Sequence, residues 1–112
     1  MEEFSYIFGY EDPINYEVNK RLGTDYESSN LIKIIAESQT QAKNWGDEIA
    51  EEFVKFLFRK EGMKEVSWKT DGYSSWIENS PDEHILQYWE RILIVKVGEY
   101  PDFEKLKNTY FD

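Results

Sequence analysis

Aromatic side chains occupy every second position from Phe4 to Tyr10, with Ser5, Ile7 and Gly9 between them. An alternation of period two is the pattern of a strand with one buried face, so residues 4–10 are predicted to be β. A second strand is indicated by the run from Leu31 to Ala36, which is branched and mostly apolar and is typical of a buried strand.

The segment between these strands has the signals of a short helix. Asp12 is a suitable N-cap, Pro13 follows at the first helical position, and Gly23 is a suitable stop. These residues predict a helix near 13–22. Its apolar residues recur four apart, at Ile14, Val18 and Leu22.

Residues 39–61 carry the strongest helical pattern of the chain. Ser38 and Gln41 have the spacing of a capping box, and Gly62 follows the last turn. Gly46 falls within the apolar stripe, where a missing side chain would let another backbone come close. The stripe itself is predicted to face the sheet and consists of Ala42, Trp45, Ile49, Phe53, Phe56 and Leu57.

Residues 66–78 are predicted to form a hairpin. Asp71-Gly72 is the dipeptide that a two-residue type I′ turn favours, because both central residues need a positive φ. With the turn at this place, one strand face is mostly apolar and the other is polar. Trp76 is the one large side chain on the polar face.

The last third of the chain contains a second capping box, Ser80-Pro81-Asp82-Glu83. It favours a short helix, although residues 81–90 also fit a strand that continues an antiparallel meander. Residues 91–97 are rich in branched side chains and predict a strand. Pro101-Asp102 then begins a terminal helix over 102–110.

Together these elements predict one α+β domain over residues 1–112. Its sheet is expected to be mainly antiparallel, with about four to five strands, and to carry the 39–61 helix on one face. Shorter helices near 13–22 and 102–110 complete the domain. The pattern does not determine the strand order, and a ferredoxin-like core is one arrangement that it permits.

The net charge of the chain indicates which kinds of partner it can bind. Of 23 Asp and Glu side chains, 12 lie in residues 1–52, against four of the 13 Lys and Arg, and the net charge is −10. A field of this sign repels phosphate backbones and anionic headgroups, so neither nucleic acid nor a membrane is an expected partner. Solubility alone, without any partner, would equally account for a net charge of this size. The chain lacks cysteine, its N-terminus is acidic, and its longest apolar run is four residues, which indicates a cytoplasmic protein.

Candidate chemistry is sparse in this sequence. His84 is the only histidine, and neither a Gly-x-Ser-x-Gly elbow, a Gly-rich phosphate loop nor a zinc ligand set accompanies it. The carboxylates of the long helix, at 47, 48, 51 and 52, are best explained as a solvated face that complements the helix dipole. We therefore predict no catalytic residue, no metal site and no cofactor.

Binding is the function that the sequence favours. Trp76 is a residue type enriched at interface hot spots, although a helix covering that face would make it part of the core. Acidic residues outside the long helix, Glu11, Glu17 and Glu27 among them, could steer a basic protein partner. In composition the chain resembles the small, acidic, cysteine-free immunity proteins that neutralise basic nuclease toxins, a likeness that involves no particular residues.

Two other functions are compatible with the same elements. One is a small enzyme or ligand-binding domain with a pocket between helix and sheet, which would show convergent polar groups in a deep cavity. The other is a dimeric scaffold domain, although no residue indicates a homo-oligomer. A flat acidic surface with exposed aromatic residues would favour the binding protein instead.

Overall fold

A four-stranded sheet packed against one long helix forms the centre of the computed structural model, which describes residues 1–78 and 92–107. Strand β1 pairs antiparallel with β2 and β3, and β2 pairs parallel with β4, in the order β3-β1-β2-β4. The predicted α+β class and the mainly antiparallel sheet are confirmed. The elements are β1 (Glu2–Tyr10), α1 (Pro13–Leu22), β2 (Ser28–Ala36), α2 (Gln39–Lys60), β3 (Ser75–Glu78), β4 (Ile94–Lys96) and α3 (Phe103–Lys107).

Helix α2 connects two strands that are not neighbours. It follows β2 and leads to β3, and β1 lies between these two strands. Because β1 is antiparallel to both, β2 and β3 run in the same direction, which makes a split β-α-β unit. The parallel pairing of β4 with β2 distinguishes the sheet from the all-antiparallel sheet of a ferredoxin-like core.

The predicted helix starts are formed as the sequence indicates. The Asp12 carboxylate accepts a hydrogen bond from the Asn15 amide at 2.7 Å, and the Ser38 hydroxyl accepts one from the Gln41 amide at 3.1 Å. The return bond of the capping box is displaced by one residue, since the Gln41 side chain accepts from the Glu37 amide at 2.8 Å. Both helices are therefore fixed at their N-termini by local contacts.

The hydrophobic core lies between α2 and one face of the sheet. Ile49, Phe53 and Leu57 of the predicted stripe are buried there, whereas Trp45 and Phe56 are half-buried. The rings of these two residues pack near the end of the described chain, against Tyr100 and Phe103 respectively. The buried partners on the sheet include Tyr6, Phe8, Tyr10, Ile32, Ile34 and Ala36.

Helix α1 packs against the domain with a face other than the one on which its apolar residues recur. Ile14 and Leu22 are 74% and 62% exposed, whereas Asn19 is buried. The ring of Tyr16 packs edge-on against Phe58, with 5.3 Å between ring centroids. A polar network and one aromatic contact therefore attach α1 to the domain.

The hairpin predicted over 66–78 is wrong. Ser75–Glu78 pairs with β1 instead, and the preceding segment folds into turns in which the Asp71 amide donates to the Ser67 carbonyl at 3.0 Å. Gly72 does adopt a positive φ, of 78°, but its turn does not join two paired strands. Polar contacts with α2 hold this segment in its turns, and a hairpin would break them.

The prediction of a solvated acidic face on α2 is also wrong for two of its residues. Asp47 accepts hydrogen bonds from the Tyr6 hydroxyl at 2.6 Å and from the Ser75 hydroxyl at 2.7 Å. Glu51 is only 8% exposed and accepts two hydrogen bonds from the segment that follows the helix. These carboxylates attach α2 to its neighbours, so the acidic face serves packing as well as solvation.

Several predicted features lie partly or wholly outside the described residues. The capping box at 80–83, the choice between helix and strand for 81–90, and His84 all fall there. The predicted strand over 91–97 is represented by the shorter β4, and the predicted helix over 102–110 by α3. Within the described ranges, no helix is long and apolar enough to cross a membrane.

The Tyr6 ring of β1 packs directly against Gly46 of α2. A Cβ atom added at residue 46 would lie 2.6 Å from Cγ of Tyr6 and closer still to two other ring carbons. The prediction that Gly46 permits a close contact is confirmed, but the approaching group is an aromatic side chain and not a backbone. The Tyr6 ring fills the place that a side chain at residue 46 would occupy.

We expect Gly46→Ala to destabilise the domain, although alanine is the better helix former by about 1 kcal/mol. The added methyl group has to displace a fully buried ring, and overpacking of this kind costs about 1–3 kcal/mol. Urea unfolding of the variant measures the loss. Asn44→Ala, at an exposed position of the same helix, is the control and should change stability by less than about 0.5 kcal/mol. A Gly46→Ala protein as stable as the wild type would contradict the tight contact.

Candidate functional site

Asn19 organises the polar network beside α1. Its side-chain nitrogen donates to a carboxylate oxygen of Glu11 at 2.7 Å and to the Tyr26 carbonyl at 2.9 Å. Its side-chain oxygen accepts from the Thr24 hydroxyl at 2.7 Å and from the Tyr26 amide at 2.9 Å. Both donors and both acceptor positions of the amide are used. Asn19 therefore fixes the loop after α1 and one oxygen of Glu11.

The second oxygen of Glu11 accepts a hydrogen bond from the hydroxyl of Tyr73. Burial raises the pKa of Tyr73, and this hydrogen bond and the negative charge of Glu11 raise it further. Asp71 and Glu27 also raise the pKa of Tyr73 through their charges. The Tyr73 hydroxyl stays protonated at neutral pH. Three carboxylates, those of Glu11, Glu27 and Asp71, lie close enough to raise its pKa through their charges.

An open cleft of about 560 Å³ lies at this place, and we call it the acidic cleft. Among the described residues, its lining includes two carboxylates, two tyrosine rings and two aliphatic hydroxyls, and no basic side chain. Negative charge and aromatic surface therefore meet in one depression. The lining residues come from the start of α1 and the segment just before it, and from the segment that follows α2: Glu11, Tyr16, Val66, Ser67, Thr70, Asp71 and Tyr73.

Of the four residues predicted for binding, Glu11 and Glu27 lie at the acidic cleft, whereas Glu17 and Trp76 do not line it. Glu11 lines the acidic cleft, but it is half-buried and engaged by hydrogen bonds. Glu27 is exposed and lies beside the cleft, with one carboxylate oxygen 3.7 Å from the position of a Cβ added at Gly9. Glu17 is exposed on α1 and does not line the cleft.

Trp76 lies on the opposite side of the sheet from α2. It pairs with Ile7 in β3, an edge strand, and its side chain is 43% exposed. Ile7 itself is 4% exposed, so Trp76 extends a buried part of that face toward solvent. It does not contribute to the acidic cleft.

Of the lining residues that the structure describes, only Glu11 was predicted for binding, and Asn19 was missed as well. Asn19 reads as an ordinary polar residue of a short helix, and its four hydrogen bonds in the structure show that it organises the network. Asp71 was assigned to a hairpin turn, and Tyr73 to a paired strand. The Asp71-Gly72 dipeptide did indicate a chain reversal, which was the one available signal for the wall of the cleft.

A second cavity, of about 310 Å³, lies where α1 begins and α2 ends. Two carboxylates and two ammonium groups line it together with apolar side chains, so its charged groups balance. Within residues 1–78 and 92–107, no three Asp, Glu or His side chains come together in a way that could hold a metal ion. The charged residues of the second cavity are Asp12, Lys60, Glu61 and Lys107.

We expect Asn19→Asp to destabilise the domain by about 2–3 kcal/mol, because the new carboxylate cannot donate to Glu11 or to the Tyr26 carbonyl. The loss should shrink below about pH 4, where carboxyl groups become protonated and can donate again. Urea unfolding at pH 7 and below pH 4 measures both effects. Asn44→Asp, an exposed replacement with the same charge change, is the control. An equal loss at both pH values would contradict the role of Asn19 as a donor.

Comparison of the chain with models of known protein families, with curated proteins and with solved structures finds no match. The acidic cleft is therefore interpreted from its own contacts and charges.

Proposed function

We propose that the chain is a binding protein that recognises a basic protein partner, as an inhibitor or immunity-type protein would. The acidic cleft receives a lysine or arginine side chain of that partner. The observation that supports this most is the negative charge of the lining, since the lining residues that the structure describes include two carboxylates and no basic side chain, and a third carboxylate lies beside the cleft.

The aromatic walls add a second attraction for a cation. Rings of Tyr16 and Tyr73 line the cleft, and a cation over such a ring gains about 0.5–1 kcal/mol at an exposed site. A guanidinium group is planar, stacks on aromatic faces and is more weakly hydrated than an ammonium group. We therefore expect arginine to bind more tightly than lysine.

The remaining surface charge supports encounter with such a partner. At a net charge of −10, the chain attracts basic proteins over distances that salt limits to about 8 Å at physiological ionic strength. Exposed carboxylates that do not line the cleft, such as Glu17 and Glu37, contribute mainly to this long-range attraction. Charge at the cleft should contribute to the stability of the complex as well.

The proposal is tested with a fluorescent synthetic peptide in which arginine residues alternate with glycine and serine. Glu27→Gln combined with Asp71→Asn should weaken binding about three- to tenfold, since each exposed charge contributes up to about 1 kcal/mol. Both residues are exposed, so their replacement should preserve the fold. Fluorescence anisotropy across a salt series gives the affinities.

The matched control combines Glu17→Gln with Glu37→Gln. It removes the same number of negative charges, but from exposed positions outside the lining. It should weaken binding by less than about twofold at physiological salt, because exposed charges outside the lining do not contact the bound cation and are largely screened. A lysine peptide of the same length should bind less tightly than the arginine peptide. Equal losses in the two double variants would mean that only net charge matters, and the cleft would be rejected as the site.

A further inference from the structure

We infer that Glu51, which does not line the acidic cleft, is the positioning residue for one of its walls. This inference rests on the proposed function of the cleft. The wall in question is the turn segment of residues 67–73, which supplies more than half of the lining residues. Glu51 acts on it from α2, and its carboxylate is the anchor that holds the segment in place.

The anchor uses both carboxylate oxygens. One accepts from the Ser67 hydroxyl at 2.9 Å, and the other accepts from the Lys69 amide at 2.8 Å. Lys55, one turn further along α2, places its ammonium nitrogen 3.5 Å from the first oxygen. Because Glu51 is 8% exposed, these contacts replace most of its water.

Ser67 transmits this constraint to the cleft. Its hydroxyl donates to Glu51 and accepts from the Thr70 amide at 3.2 Å and from the Thr70 hydroxyl at 2.9 Å. The Ser67 carbonyl accepts from the Asp71 amide at 3.0 Å. Thr70 and Asp71, which line the cleft, are thus connected to Glu51 through one serine.

Only a carboxylate fits this arrangement. The Ser67 hydroxyl and the Lys69 amide both donate, and they approach different oxygens of the same side chain. A glutamine has one carbonyl oxygen and one NH₂ group, so one of these two donors would face another donor. Glu51→Gln therefore keeps the shape of the side chain but removes one of the two attachments.

The protonation of Glu51 follows from its surroundings. Burial raises the pKa of Glu51, but hydrogen bonds from the Lys69 amide and the Ser67 hydroxyl, together with the charge of Lys55, lower it below its usual value. The Lys69 ammonium group forms an ion pair with Glu48 on α2. Asp47 also acts on Lys69 through its charge.

A depressed pKa in the folded state has a defined effect on stability. The stabilisation by Glu51 is present above the unfolded value, about 4.3, and is lost as the pH falls through the folded value. Asp47 and Glu48, the neighbouring carboxylates of α2, are common to the wild type and to Glu51→Gln. The difference in unfolding free energy between these two proteins should therefore shrink below about pH 4.

Amide hydrogen exchange tests the positioning role without any ligand. In Glu51→Gln, exchange at the amides of Lys69, Thr70 and Asp71 should accelerate about tenfold, while amides in the centre of β1 keep their rates. Glu52→Gln, the neighbouring carboxylate on the same helix, removes an equal charge and should leave all these rates unchanged. Ser67→Ala, which breaks the connection but keeps Glu51, should accelerate exchange at Thr70.

The arginine peptide provides the second readout. Glu51→Gln should weaken its binding at least threefold, and Glu52→Gln by less than about twofold. Unchanged exchange at 69–71, exchange that rises equally throughout β1, or a normal affinity in Glu51→Gln would each overturn the inference. If the wild type does not bind the peptide, the proposed function fails, whereas hydrogen exchange still decides whether Glu51 holds the wall.

Discussion

The fit of the Tyr6 ring against Gly46 is the contact on which the rest of the structure depends. It brings α2 close enough to β1 for Asp47 to accept hydrogen bonds from the hydroxyls of Tyr6 and Ser75. Ser75 begins β3, so this contact fixes where the third strand starts. The chain between α2 and β3 must then return alongside the helix, where Glu51 meets it. The contact between Gly46 and the Tyr6 ring therefore helps to determine where the wall of the cleft lies.

The acidic residues of the chain have two different roles. Glu11, Asp47 and Glu51 each accept at least two hydrogen bonds from protein groups, which compensates for the loss of water around a carboxylate. Glu27 and Asp71 remain exposed and contribute to the negative charge of the cleft. A net charge of −10 is therefore only partly a property of the surface, because some of these charges hold the fold together.

Features determined by neighbouring residues could be predicted from the sequence. The caps at Asp12 and Ser38 depend on contacts three residues away, and the alternation in β1 reflects the face that packs against α2, although Ile7 on the other face is buried as well. The hairpin prediction failed because the Asp71-Gly72 signal is local, whereas Glu51 holds the same segment through contacts 16 and 18 residues away. Buried carboxylates and amides also look the same in sequence as solvated ones, which is why Asn19 and Glu51 were not recognised.

Whether the acidic cleft is the cation-binding site can be decided by locating the bound peptide. Amide chemical shifts of the isotope-labelled protein, measured during titration with the arginine peptide at physiological salt, report where the peptide binds. We expect the largest changes at residues 67–73 and at Glu11, and no comparable change at Trp76 or on the exposed side of α1. Changes spread evenly over all acidic segments, or centred on Trp76, would contradict this expectation.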